Sequence, residues 1–536
     1  RVGVHDNFFA LGGDSILSIQ VVTRARRLGI ALTPTQLFQQ QTVAQMASVA
    51  GTLLEVRTEE EPGSGAVPLT PVQRWFFSEV ADREPGAAHH FNLSLLLATP
   101  ERLDPARLAA ALARLTRQHD ALRLRFRRGP EGWEQWTEAP GATPPDLAMI
   151  DLSRLAPDAR PGTLAVAAAQ AQGSLDLTNG PLQRAVVCDP GPGQEGRLLW
   201  VMHHLLVDAV SCRVLVEDLT AAYASLDLPP RTTSFKRWAE LLAAYAGSPA
   251  LAAELPFWQG LPWAEAAPIP RDVLVQALVQ ADSPTAGTVA SERAVTFELD
   301  EAETRALLEE VPRAYGTRIQ EVLLTAVARA FAGWTASPVL LLDLEGHGRE
   351  EISAAADLTR TVGWLTNVYP VVLDLRGGGN SSDPGSALKA VKEQVRRVPG
   401  GGLGYGLLRE TALAGLPKAE VSFNYLGQIG PIGPIGRIRP IGPMEQLEAP
   451  AFSLAPEESG PQRDRRLPRL HLLAIEGSII GGRLSLSCLY SAEAHRPATA
   501  EKLLADIGTA LRELIDHCRR PEAGGFTPSD FPAARL

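Results

Sequence analysis

Cysteine is scarce in this chain, with only four among 536 residues. Cys188, Cys212, Cys488 and Cys518 lie far apart, so they give neither a disulfide framework nor a zinc spacing, and reduced thiols are expected. No HExxH or CxxC occurs, and the adjacent His203 and His204 would point apart on an extended chain, so no metal site is expected. No run approaches the roughly 18 apolar residues of a membrane span, and no charged-then-apolar leader opens the chain. The expectation is a cytoplasmic protein with no membrane partner. Positive charge is in deficit: 51 Lys and Arg against 61 Asp and Glu give a formal net charge of -10, which argues against a general nucleic-acid binder. An initiating Met is also absent, and a fragment of a longer chain is expected.

What the chain has is apolar bulk. Hydrophobic residues make up 45%, enough for several cores, and the length implies three or four domains or large lobes. Residues 1-53 read as a small helical unit: Asp14-Ser15 opens a helix that Gly29 can end, Thr33-Pro34 starts a second, and Thr42 caps a third. Residues 54-67 carry an acidic run and then Gly, Ser and Pro, the composition of a flexible linker. A large α/β body follows, in which strand-length apolar runs alternate with helical patterns. In the clearest helix Ile319, Val322, Leu323, Ala326, Val327 and Ala330 form one stripe.

Two strand ends carry chemistry. The run Leu198 to Met202 delivers His203-His204-Leu205-Leu206-Val207-Asp208-Ala209-Val210-Ser211, and the run Val339 to Leu344 delivers Glu345-Gly346-His347-Gly348-Arg349-Glu350. An imidazole titrates near neutrality, so an oriented one at a strand end can take or give a proton. The spacing predicts two similar lobes presenting polar residues to a shared cleft, with the boundary near residues 245 to 290. Gly402-Leu403-Gly404-Tyr405-Gly406 lacks the full GxGxxG and is not a dinucleotide loop. The repeat between 429 and 443 reads as an exposed Pro/Gly loop.

Asp6-Asn7-Phe8-Phe9 followed by Leu11-Gly12-Gly13-Asp14-Ser15-Ile16 resembles the carrier-protein motif of nonribosomal peptide synthetases. The resemblance implies 4'-phosphopantetheine attached to Ser15; the plainer alternative for Ser15 is a helix cap. It also implies that the fragment lacks the carrier's first helix. The body resembles an epimerization domain of the same synthetases. Six signatures carry that resemblance: Pro71 to Phe76, His203 to Ser211, Glu345 to Glu350, Arg360 to Thr366 with Tyr369-Pro370, Gly404-Tyr405-Gly406, and Phe423 to Gln428. It implies two chloramphenicol-acetyltransferase-like lobes around a tunnel, with an N-lobe at 68-265, a C-lobe at 266-520, and a linker to the next domain at 521-536. Expected partners are a thioester substrate on the chain's own carrier, an upstream adenylation domain and a downstream condensation domain.

By the same resemblance, His204 and Glu345 are the two proton carriers of a two-base enolate mechanism that inverts Cα of an aminoacyl or peptidyl thioester. Asn424 and Tyr425 are expected to line the site as oxyanion donors, with an ordinary strand end and a packed aromatic as the alternative for Tyr425. His203 reads as a packed support, and His347 and Glu350 as groups that shape their loop. Asp208 is expected to pair with Arg123 and so to hold the loop that carries His204. Ala209 departs from the superfamily's glycine and Cys212 from its tryptophan. Two other readings compete with epimerization: an amide-forming condensation domain, and a noncatalytic recruitment module of the same fold.

Overall fold

The computed structural model describes all residues except 1, 10, 12, 14, 53-62, 100-101, 143-145, 274-286, 354-355, 379-382, 430-451 and 532-536. The Pro/Gly repeat and Asp14 lie outside the described residues. Among the described residues no helix is long and apolar enough to cross a membrane.

Three helices form the N-terminal unit: Ser15–Arg27, Pro34–Gln39 and Val43–Val49. Thr33 and Thr42 each close a reciprocal capping box with a glutamine three residues on, which satisfies amides that the helix itself leaves unpaired. Phe9, Val22, Leu32, Leu37 and Met46 make the small core. One element was not foreseen, a two-residue pairing of Ile30–Ala31 with Gly51–Thr52.

The body is two-lobed. A five-stranded N-lobe sheet runs in the order Ser453–Leu454, Asn92–Thr99, Gly196–His203, Gln183–Asp189, Leu147–Asp151. The six-stranded C-lobe sheet runs Glu292–Glu298, Arg483–Ser491, Leu473–Ile480, Val421–Ile429, Val339–Gly346, Asn367–Asp374. In both sheets the strand that ends in a polar motif has a neighbour on each side. Two-sided burial explains why these strands read as unbroken apolar runs rather than alternating ones. The helix Ile319–Thr335 buries the whole predicted stripe.

Packing departs from the expected contiguous lobes. Phe235, Trp238 and Leu242 belong to the N-lobe core, whereas Leu251, Trp258 and Trp263 already belong to the C-lobe core, so the handover falls near residue 250 rather than 265. The chain then returns twice. Leu358, Val362, Trp364 and Leu365 enter the N-lobe core, and so do Phe452 and Leu467, which flank the strand that pairs with Asn92–Thr99. Both expected linkers are shorter than predicted. Gly65–Val67 is a strand paired with Gly132–Thr137, and Asp530 is anchored on the C-lobe by Lys392 Nζ at 2.7 Å.

Candidate active site

Residues 203 to 211 form the hinge between a central strand and a helix. The strand Gly196–His203 ends in a short helical turn, His204–Leu206, and Asp208 then caps the helix Ala209–Tyr223 by accepting from Ser211 N–H at 2.7 Å. Ala209 is the first helical residue, a position any residue adopts, which is why the departure from glycine costs nothing here. Cys212 is buried in the N-lobe core, and burial pushes its thiol up to about 12.

The two histidines have different surroundings. His203 is fully buried; its Nε2 donates to Ala88 O at 2.9 Å and its Nδ1 accepts from Leu205 N–H at 3.2 Å. Both nitrogens are engaged, so the ring is neutral, and burial holds its pKa down at about 3. This is the packed support read from the sequence. The His204 ring instead lies against Trp364 at 4.4 Å and Phe91 at 5.5 Å between ring centroids. Burial, opposed by the charge of Asp208, holds it below the ordinary imidazole range. A neutral imidazole is the form that accepts a proton.

Asp208 does not pair with Arg123. Its carboxylate takes two bonds from the Arg349 guanidinium, Nη1 to Oδ2 at 2.9 Å and Nη2 to Oδ1 at 3.0 Å, and Leu365 N–H adds a third at 3.1 Å. Burial alone would raise its pKa, but Arg349 and the amide donors hold it below the usual carboxylate range. Arg123 spends its guanidinium on main-chain carbonyls of Glu138, Thr116, Arg117 and Gly63. The physical reason is position. Asp208 sits on the seam between the lobes, and the nearest guanidinium comes from the facing C-lobe loop. The buried bidentate pair therefore ties the His204 loop directly to the Glu345 loop. Arg349 was legible as part of the second motif, since a buried carboxylate demands a cation, yet no role had been expected for it.

Glu345 stands at the end of the strand Val339–Gly346. Asn424 Nδ2 donates to its Oε2 at 2.7 Å, so this N–H, expected at a thioester oxygen, orients the carboxylate. Glu345 keeps accessible surface while protein surrounds it at longer range. That surrounding, and then the charge of Glu476, push its pKa up to about 7 against the lowering effect of His471. Tyr425 takes the second of its two readings, a packed aromatic. Strand alternation turns it to the opposite face from Asn424, where it packs with Phe423 against the C-lobe core. Arg349 N–H donates to His347 Nδ1 at 2.9 Å within the loop, and Glu350 lies 3.7 Å from His347 Nε2. Gly348 has φ +65, and any Cβ there would collide with Leu365 O, so only glycine fits.

The helical unit rests on the body near this loop. Arg26 pairs with Asp357 at 2.6 Å, and the Arg318 guanidinium lies 5.1 Å and 4.5 Å from the Phe9 and Phe38 ring centroids.

A family model described as a condensation domain matches residues 64–536. The chain belongs to the condensation-domain family. Residues 1–49 match a phosphopantetheine attachment site. A linear gramicidin synthase polypeptide of Brevibacillus parabrevis is 42% identical over 561 residues, covering 100% of this chain and 7% of that protein. Chondramide synthase cmdD of Chondromyces crocatus is 41% identical over 552 residues, covering 100% of this chain and 13% of that protein. The chain thus spans a small part of the curated relatives it matches. A solved epimerization domain, from the third module of tyrocidine synthetase B, is similar at 30% identity and a TM-score of 0.73, covering 86% of this chain and 98% of that one.

The local structure suits the covalent group that the attachment-site match implies. Ser15 opens a 13-residue helix, where unpaired N–H groups and the helix dipole favour a phosphodiester anion. Gly13 N–H donates to Phe8 O at 2.9 Å, which fixes the turn ahead of it. The Ser15 side chain itself lies outside the described part.

Proposed function

We propose that this chain inverts Cα of an aminoacyl or peptidyl thioester carried on Ser15, with His204 and Glu345 as the two proton carriers. The observation that carries this reading is the buried Asp208 to Arg349 pair, which ties the loop of His204 to the loop of Glu345, with protonation states that suit the two carriers. Burial leaves His204 neutral, ready to accept, and brings Glu345 to about 7, so that at neutral pH a sizeable fraction carries a proton to give. The arm, when attached, presents the substrate as a thioester, in which sulfur donates poorly to the carbonyl and leaves the Cα proton acidic. One group takes that proton and the other returns one from the opposite side; in the reverse direction the roles exchange. Each step contributes about 10²- to 10⁴-fold. Asn424 orients Glu345, and the Asp208 to Arg349 pair holds the two loops in register.

The test is solvent deuterium exchange into Cα of the L-aminoacyl carrier. Wild type should take up label and yield D product, whereas His204→Ala and Glu345→Gln should each abolish D product with circular dichroism unchanged. Full activity in either variant would sink the two-base assignment. The family match favours one second reading, amide formation between two carrier-bound substrates. That reading predicts no label at Cα.

A further inference from the structure

Across the C-lobe sheet the strand registers place three polar side chains in one lateral row. Glu345 is level with Asn424, because Leu344 is level with Phe423, and Asn424 is paired in register with Glu476. All three point to the face away from Leu344, Phe423 and Ile475, which are buried in the C-lobe core. Asn424 thus stands between two carboxylates. It gives an N–H to Glu345. Glu476 lies two strands away, about 10 Å between Cα atoms from the usual strand spacing, with no cation in salt-bridge contact among the described residues.

We infer that Glu476 is a positioning residue for proton transfer, acting through the row Glu345, Asn424, Glu476 to keep a proton on Glu345. The inference rests on the role proposed for Glu345. Glu476 touches no reacting atom; its charge acts across an exposed face of the sheet, where water screens it in part. The other groups facing Glu345 are His471 and Asp343, and those facing Glu476 are Arg463 and Glu292. His471 Nε2 and Asp343 Oδ2 are 2.8 Å apart and form a pair. Arg463 is paired with Glu292 at 2.8 Å. Glu292 also pairs with Arg469, so both nearby guanidinium groups are turned to Glu292 and neither is in salt-bridge contact with Glu476. A purely structural Glu476 would be indifferent to its charge, since Gln fills the same space.

The sign follows directly. Removing the negative charge at 476 makes ionised Glu345 less costly, so its pKa falls and less of it is protonated at neutral pH. A charge about 8 to 10 Å away across an exposed face, with an effective dielectric of about 40 to 80, moves a carboxyl by about 0.3 to 0.8 pH units. The experiment follows the intact chain, phosphopantetheinylated and loaded, as Glu476→Gln and Glu476→Asp. Two readouts are taken: the pH profile of Cα deuterium exchange, and a 13C titration of the Glu345 side chain without substrate. In Glu476→Gln the limb set by Glu345 and its 13C midpoint should both move to lower pH by that amount, and Glu476→Asp should restore most of the wild-type position. An unmoved Glu345 midpoint in Glu476→Gln overturns the inference, as does an equal shift in both variants, which would mark a packing effect. Absence of exchange in wild type overturns the epimerization reading instead, and the substrate-free titration still decides the coupling.

Discussion

The two strand ends that meet at the seam are built alike and tuned in opposite directions. Each is the end of an interior strand, and each delivers one proton carrier to the seam, His204 half-buried and Glu345 more accessible. At the His204 end the surroundings are aromatic, Phe91 and Trp364, and burial pushes a cationic acid down. At the Glu345 end they are polar and acidic, and the same physical cause pushes a neutral acid up, to about 7. Low dielectric penalises charge of either sign, so it makes a base of histidine and an acid of glutamate at the same pH. The comparison teaches that the two ends are tuned by different surroundings, an aromatic wall around His204 and neighbouring carboxylates around the more accessible Glu345.

The strongest way to break the comparison is to part the two ends. Arg349→Ala leaves Asp208 buried without its cation, and loss of one partner of a buried pair costs about 3 to 5 kcal/mol. Denaturant unfolding should show that loss, and Cα exchange should fall with it. Asp208→Asn should cost a comparable amount, because it leaves Arg349 buried without its anion, and Asn, with one acceptor oxygen, can serve Ser211 or Leu365 but not both. A loss below about 1 kcal/mol in Arg349→Ala would mean that the seam is held by the apolar contacts of Trp364 and Leu365 instead.

A second prediction sharpens the comparison inside a single loop. His347 and Glu350 repeat it in miniature, since burial holds the imidazole down at about 4 and pushes the carboxyl up to about 7. A raised carboxyl stabilises the fold fully below its unfolded pKa, and that contribution is lost as pH rises through about 7. The lowered imidazole does the reverse, losing stability as pH falls from 6.5 toward about 4. Glu350→Gln should therefore flatten the decline in stability between about pH 5 and 8. After discounting for its part-exposed side chain, the gain at pH 8 should be about 1 to 3 kcal/mol. Urea midpoints across that range provide the check, and an unchanged slope would show that solvent reaches Glu350.

Much of this arrangement was legible in the sequence, and the misses share a cause. The caps at Thr33 and Thr42, the stripe on the helix Ile319–Thr335 and the two motif-bearing strands depend on neighbours in sequence, which periodicity reads well. The Asp208 to Arg349 pair joins residues 141 positions apart and exists only because two lobes dock. No local pattern states it. Phe452 and Leu467 are of the same kind: their apolarity says that they are buried, not in which lobe. Tyr425 was different, because alternation with buried Phe423 already assigned it to the core face and Asn424 to the other.

The smallest expected effect concerns the helical unit, whose contacts described above fall on both sides of the seam, at Arg318 of the C-lobe and at Asp357, which is hydrogen-bonded to Thr233 of the N-lobe. Arg26 and Asp357 are only partly covered, at 20% and 12% side-chain exposure, and such a pair is worth about 0.2 to 1 kcal/mol. Arg26→Ala should thus lower the docked fraction of the tethered unit by only about two- to five-fold, read by energy transfer between dyes on the unit and the body. Arg318→Ala should do more, because it removes a guanidinium lying over two aromatic rings at once. If Arg26→Ala alone released the unit, the ion pair rather than the aromatic contact would be what holds it. Docking would then be strongly salt-dependent, which contact with Phe9 and Phe38 does not predict.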